Sequence, residues 1–172
     1  MKQNEHRPGP RDVPEEWNRV TDQILAAAFK VHSVLGPGLL ERLYEEALAY
    51  ELTKRGIPFE RQKRLRVRYE EIEIGDQVVD LLVGGLVIVE LKSTEKVSDG
   101  HIGVMMSYMR STGMPLGLLI NFNTPSLKSG IYRRVLTSRT PLPRSFLSEE
   151  TPRNSAHSAN SAVAPFSEPH EC

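Results

Sequence analysis

One segment in the middle of the chain limits the folds that are open to it. Residues 77–83 and 86–92 have the pattern of two apolar β-strands on either side of Gly84-Gly85, a dipeptide that favours a tight turn. Three charged residues, Asp80, Glu90 and Lys92, interrupt these strands. Because a charged side chain is costly to bury unless it is paired or holds a metal ion, the segment predicts a buried β-hairpin that carries a polar site.

The register of this hairpin decides whether the two acids meet. With a two-residue loop, Asp80 points away from Glu90, because side chains alternate between faces along a strand. A three-residue loop, residues 84–86, pairs Val83 with Val87. Asp80 then pairs with Glu90, and their Cβ atoms lie roughly 4.5–5.5 Å apart. A β-bulge has the same effect, so the hypothesis of a shared site requires an odd loop or a bulge.

The three charged residues suit a metal site that cuts phosphodiesters. Asp80 and Glu90 offer hard oxygen ligands of the kind that Mg²⁺ or Mn²⁺ prefers, with waters completing the shell. Lys92 can orient or deprotonate the attacking water, or stabilise developing negative charge. The alternative is that Glu90 and Lys92 lie on a solvent-facing edge and pair with each other.

The periodicity of the apolar residues predicts an α/β fold. Two amphipathic helices are followed by strands, a third helix and two further strands, in the order ααββββαββ, which favours a mixed central β-sheet flanked by helices. The predicted domain covers residues 15–136, and the polar segments 1–14 and 137–172 are predicted to be disordered. The helices are predicted at 15–35, 39–55 and 100–112, the last with Asp99 as N-cap, and the strands at about 64–69, 72–74, 77–83, 86–92, 116–122 and 131–136.

Composition excludes several classes of protein. No apolar stretch approaches the roughly 18 residues that a membrane span needs, so no membrane partner is expected. The single cysteine, Cys172, cannot form an internal disulfide, and a reducing, cytoplasmic location is predicted. The net charge is zero, with 22 basic and 22 acidic residues, whereas a tight non-specific nucleic-acid binder usually has a basic excess.

Several separate motifs carry a resemblance to a known family. The stretch from Val31 to Tyr44 resembles the signature of the GxxExxY family, with Gly38, Glu41 and Tyr44 at its named positions. Glu-Leu-Lys-Ser and the later Leu-Gly-Leu-Leu-Ile-Asn-Phe are also similar to that family. The resemblance covers about residues 16–136. It implies membership of the PD-(D/E)xK nuclease-like superfamily and a restriction-endonuclease-like fold, in which the sheet carries the acids.

The resemblance also implies roles for particular residues. By position, Asp80, Glu90 and Lys92 are the core catalytic motif, and Glu41 is the superfamily's N-terminal acidic residue. Asp80, Glu90 and Glu41 would then be the metal ligands, Mg²⁺ or Mn²⁺ the cofactor, and nucleic acid the partner, as DNA or RNA. Spacing alone favours the alternative that Glu41 is a solvated helix glutamate, and the resemblance leaves a homodimer open.

One position departs from the pattern of related sequences. These often have His-x-x-Gln-x-x-x-Tyr on the helix that follows the Glu-x-Lys strand. Here His101 and Tyr108 fit, but Val104 stands in place of the glutamine. The leading prediction is a Mg²⁺-dependent nuclease, and the alternative is a non-catalytic nucleic-acid-binding or regulatory protein that retains the fold.

Overall fold

The computed structural model describes residues 13–136, and three helices and a five-stranded sheet account for most of them. The segments predicted to be disordered therefore lie outside the described residues, except for Val13 and Pro14. In chain order the elements are α1 (Glu15–Leu35), α2 (Glu41–Lys54), β1 (Phe59–Tyr69), β2 (Ile72–Val83), β3 (Val87–Lys92), α3 (Asp99–Thr112), β4 (Leu116–Asn121), a 3₁₀ turn (Leu127–Gly130) and β5 (Ile131–Val135).

The sheet is mixed, with strand order β1-β2-β3-β4-β5. β3 and β4 pair in parallel, while the other neighbours are antiparallel. α3 is the crossover that the parallel pair requires. Along β3, Val87, Val89 and Leu91 pack in the apolar cluster with α1 and α2, whereas Ile88 packs in the cluster with α3. The predicted fold class, a mixed sheet with flanking helices, is confirmed.

The longest helix, α1, has the bounds that its periodicity predicts. Its buried apolar residues Ile24, Ala27, Ala28 and Val31 fall at steps of three and four and face the sheet. Although α1 spans 21 residues, no helix within residues 13–136 combines the length and the apolarity that crossing a bilayer would take.

The sheet has one strand fewer before α3 than predicted, so the observed order is ααβββαββ. The prediction separated strands 72–74 and 77–83, with Gly75-Asp76 as a turn between them, but β2 runs through both residues. β1 is long enough to pair with them, Val67 with Gly75 and Arg66 with Asp76. The register of the β1–β2 pairing shifts between Val67 and Arg68, and the pairing then continues to Tyr69 and Ile72. A β-bulge of this kind bends the strands without ending the pairing.

The start of α3 also differs from the prediction. Ser98, not Asp99, is the N-cap: its hydroxyl accepts a hydrogen bond from the His101 backbone N–H. The His101 ring completes a reciprocal capping box, with Nδ1 accepting from the Ser98 backbone N–H at 3.2 Å. The observed role of His101 is therefore to cap the N-terminus of α3.

Candidate metal and catalytic site

The turn between β2 and β3 has the odd length that a shared site requires. Val83 pairs with Val87, which leaves three residues, 84–86, in the loop. The Leu86 N–H donates to the Val83 carbonyl at 3.1 Å. Gly84 and Gly85 have φ of 62° and 63°, in the left-handed region that favours glycine. The sequence prediction of an odd loop is confirmed.

β2 leaves its pairing with β3 at the first acid of the site. The last observed pair is Leu81 with Val89, so the predicted pairing of Asp80 with Glu90, the next positions along the two strands, does not form. There the Asp80 carboxylate takes the place of a backbone acceptor: its Oδ2 accepts from the Leu91 backbone N–H at 2.7 Å. The carboxylate is thereby fixed beside β3.

The packing of β2 shows a local irregularity at the same point. Leu81 and Val83 pack in the cluster with α1 and α2, while Leu82 packs in the cluster with α3. Strict alternation would put Val79 with Leu81, yet Val79 packs in the α3 cluster with Leu82. The alternation therefore shifts by one residue at Asp80, which re-aims its side chain as bulges near functional sites do.

Glu90 is the buried acid of the site. It is only 8% exposed, and its Oε1 has no hydrogen-bond partner among the described residues. Burial, followed by the neighbouring Asp80 charge, raises the pKa of the Glu90 carboxyl to about 8, although Lys92 opposes this. The hydrogen bond from the Asp80 backbone also favours the charged form of Glu90. These features are unusual for a purely structural glutamate and mark a functional-site candidate.

The Lys92 ammonium lies between the carboxylates of Glu41 and Glu90. Its Nζ donates to Glu41 Oε1 at 3.4 Å and lies 3.9 Å from Glu90 Oε2. It also donates to the Leu91 carbonyl. The alternative of a solvent-facing edge is wrong, because β3 lies between β2 and β4 and Glu90 is buried.

Glu41 reaches the site from the first residue of α2. Tyr44, which is fully buried, holds the preceding linker: its hydroxyl donates to the Gly36 carbonyl at 2.7 Å and accepts from the Leu39 N–H at 3.1 Å. The Tyr44 ring also stacks on Phe122, with centroids 4.5 Å apart. The start of α2 is thus fixed beside the end of β3, and Glu41 meets Lys92 there.

The donor set fits a divalent cation of the Mg²⁺ type in part. Within residues 13–136, no three His, Cys, Asp or Glu side chains converge closely enough to form a metal site by themselves. Instead, Lys92 lies between Glu41 and Glu90 and neutralises part of their charge. Mg²⁺ is commonly held by one or two carboxylates with waters and phosphate oxygens, and the adjacent Asp80 and Glu90 supply such a pair. The unpartnered Oε1 of Glu90 is an acceptor that a cation would satisfy.

Two residues outside the predicted set support the site. Asn121, at the end of β4, is buried: its Nδ2 donates to the Thr94 carbonyl and its Oδ1 accepts from the Thr94 N–H, which fixes the segment after Lys92. Tyr108 on α3 lies near the acids: burial raises the pKa of its phenol, and the Glu90 charge raises it further. A polar residue in the apolar strand 116–122 was a sequence signal for Asn121, and the resemblance already included Tyr108.

A third residue, Gln62 on β1, gave no sequence signal. Its Nε2 donates to Glu45 Oε2 on α2 at 2.9 Å and, at 3.5 Å, to Asp80 Oδ1. In the sequence it lies within a polar, basic strand, where nothing separates it from its solvated neighbours.

Comparison with known protein families agrees with this geometry. Residues 18–135 match the family model described as the PD-(D/E)XK nuclease superfamily. The chain belongs to the PD-(D/E)XK nuclease superfamily. No curated protein and no solved structure matches it. In this PD-(D/E)XK chain, the matched residues include Glu41, Asp80, Glu90 and Lys92.

Proposed function

We propose that this PD-(D/E)XK chain is a GxxExxY-type nuclease that uses Mg²⁺ or Mn²⁺ to hydrolyse phosphodiester bonds in DNA, or in RNA. One observation carries the proposal: Glu90 is buried next to Asp80 and Lys92, with one carboxylate oxygen unpartnered and its pKa raised. A group in this state is unfavourable for folding, so its retention is best explained by a ligand of positive charge.

The acids and Lys92 have separate roles in the proposed reaction. Asp80 and Glu90 would hold the cation, with Glu41 joining directly or through water. When bound, such a cation supplies positive charge to the phosphate oxygens and lowers the pKa of the attacking water. Lys92 Nζ, 3.9 Å from Glu90 Oε2, is placed to orient that water, to take its proton, or to stabilise charge on the phosphate.

A cleavage assay tests this proposal. The full chain is incubated with plasmid DNA, single-stranded DNA and RNA in Mg²⁺ or Mn²⁺, with EDTA in parallel reactions. We expect strand cleavage that requires the metal and ceases in EDTA. An absence of metal-dependent cleavage on all three substrates would reject the catalytic proposal.

The second candidate function is a non-catalytic nucleic-acid-binding or regulatory protein. Val104 favours it, because this side chain is 46% exposed and lies one helical turn before Tyr108 on α3. A valine there offers no hydrogen bond to substrate or water. Under this function the chain binds nucleic acid in a gel-shift assay without cleaving it.

Replacing Val104 by glutamine is expected to raise the cleavage rate. The amide would be placed one turn from Tyr108, where related sequences have glutamine, and we expect an increase of about tenfold, since one well-placed hydrogen bond is worth roughly 1.4 kcal/mol. The matched control is Gly103→Gln, which adds the same amide at a neighbouring exposed position, where an added Cβ atom would clash with no other part of the protein. Equal initial rates for wild type and Val104→Gln would show that valine at this position does not limit activity.

The proposal also covers location and assembly. The one cysteine in the chain, Cys172, favours a reducing cytoplasmic location. Light scattering after size-exclusion chromatography tests whether the chain forms a homodimer.

A further inference from the structure

The backbone of Gln62 is unusual for a strand residue. Its φ is +46°, in the left-handed region, and only one other residue besides glycine among the described residues, Glu70, has a positive φ. A conformation of this kind costs roughly 1 kcal/mol or more for a residue with a side chain, and it persists where the surroundings impose it. Glu70 lies at the turn between β1 and β2, whereas Gln62 lies within β1.

The strain at Gln62 coincides with the irregularity at Asp80. Arg61 pairs with Leu81 and Lys63 with Val79, so Gln62 lies level with Asp80, but the two are not themselves a pair in the ladder. The left-handed turn of the β1 backbone thus occurs directly across from the point where β2 shifts its alternation. The two departures from regular geometry form one feature of the sheet.

The Gln62 side chain connects this feature to α2. Its Nε2 donates to Glu45 Oε2 at 2.9 Å and faces Asp80 Oδ1 at 3.5 Å. Glu45 is held in turn by Arg61, whose Nε donates to Glu45 Oε1 at 2.9 Å. A hydrogen-bonded chain therefore runs from α2 through Gln62 to Asp80.

The two oxygens of Asp80 are consequently held from opposite sides. Oδ2 accepts from the Leu91 N–H, and Oδ1 faces the Gln62 amide. An ionised carboxylate has about four acceptor positions, so each oxygen keeps one free for a cation. Hydrogen bonds of this kind fix the orientation of a ligating carboxylate and increase its affinity for metal.

We propose that Gln62 is a positioning residue whose strained backbone places its amide against Asp80 and so prepares that carboxylate to bind the divalent cation. This inference rests on the proposed function, because it assumes that Asp80 is a metal ligand. Gln62 does not itself touch substrate or metal in this account. It acts through Asp80.

Two substitutions separate the amide from the backbone. Gln62→Met keeps the length of the side chain and the strain but removes the amide, whereas Gln62→Gly removes the amide and relieves the strain. The control is Glu70→Gly, which relieves the same kind of backbone strain at the hairpin turn, away from the site. Mn²⁺ binding is measured by isothermal titration calorimetry on the full chain, and unfolding temperature is measured in EDTA.

We expect both Gln62 variants to bind Mn²⁺ about tenfold more weakly than wild type, while Glu70→Gly binds as wild type does. In EDTA, Gln62→Met is expected to unfold near the wild-type temperature, and neither glycine variant is expected to unfold lower. Wild-type affinity in either Gln62 variant would overturn the inference and leave the proposed function standing. The inference would also be overturned if Gln62→Met bound Mn²⁺ more weakly and unfolded at a much lower temperature than wild type. Gln62 would then have a purely structural role. A wild-type chain that does not bind Mn²⁺ would overturn both proposals.

Discussion

Replacing Lys92 by alanine is expected to lower the rate of phosphodiester cleavage by about 10³-fold, within the range for losing a general base or a stabilising charge. Lys92 is the cation placed between Glu41 and Glu90, at 3.4 and 3.9 Å. Its removal leaves the acids without that charge and the attacking water without a partner. The measurement is the initial rate of plasmid cleavage in Mn²⁺, at saturating substrate.

Two further variants test whether a loss of cleavage is specific to the proposed site. Lys96→Ala removes an exposed lysine four residues away and is expected to keep the wild-type rate. Asp80→Asn keeps the shape of the side chain but removes its charge, and it is expected to reduce cleavage by a similar factor to Lys92→Ala. If Lys92→Ala cleaves as fast as Lys96→Ala, the assigned role of Lys92 is wrong. If all the proteins cleave equally, the activity comes from another site or from a contaminant.

Replacing Glu90 by glutamine is expected to stabilise the metal-free protein at high pH. The pKa of Glu90 rises from 4.5 to about 8 on folding, chiefly because of burial and secondly because of the Asp80 charge. Between these two values the folded chain holds a proton that the unfolded chain has lost. The stability of the wild type therefore falls as pH rises from about 4.5 to about 8 and is constant above that window.

The size of this effect follows from the same shift. Each pKa unit corresponds to about 1.4 kcal/mol of folding free energy. Because the pKa of Glu90 rises to about 8 on folding, the wild type loses at most on the order of 4 kcal/mol of stability between low pH and pH 8. A glutamine at this position still leaves a polar atom without a partner, which costs about 1–3 kcal/mol, so we expect a net gain of about 1–3 kcal/mol. The measurement is urea unfolding in EDTA at several values between pH 5 and 9.

The control for Glu90→Gln is Glu71→Gln, which neutralises an exposed glutamate at the β1–β2 turn. Its difference from wild type is expected to stay within about 0.5 kcal/mol at every pH. A constant difference between Glu90→Gln and wild type across pH 5 to 9 would contradict the buried, neutral state of Glu90. We also expect Mg²⁺ to raise the unfolding temperature of wild type but not of Glu90→Gln, since binding stabilises only a chain that holds the ligand.

The hairpin shows how far the sequence could predict the site. A run of apolar residues around Gly84-Gly85 fixed the two strands, and the requirement that Asp80 meet Glu90 reduced the loop to an odd length, which the structure has. The position of Gln62 could not be predicted. Its role depends on a left-handed φ and on contacts with Glu45 and Asp80, which lie 17 and 18 residues away, and no periodicity in the sequence reports such a conformation.

The strand count was missed for a related reason. Gly75-Asp76 is a common turn dipeptide, and local sequence favours ending a strand there. The long pairing with β1 overrides that preference, because ten positions of β1 find partners along β2.

Tertiary packing also explains why the sequence left the role of Glu41 open. The spacing of Glu41 on α2 resembles that of a solvated glutamate, and only the packing of α2 near the end of β3 brings it to Lys92.

The parallel pairing of β3 with β4 has a consequence for how the chain acquires its site during synthesis. All the acids and Lys92 have been added to the growing chain by residue 92, yet Glu90 has its neighbour Leu119 only when β4 is present. Because α3 and the whole crossover must leave the ribosome before that strand can insert, the site is completed late. A nascent chain that ends before β4 therefore contains every residue of the proposed metal site, but it lacks the buried environment that raises the pKa of Glu90.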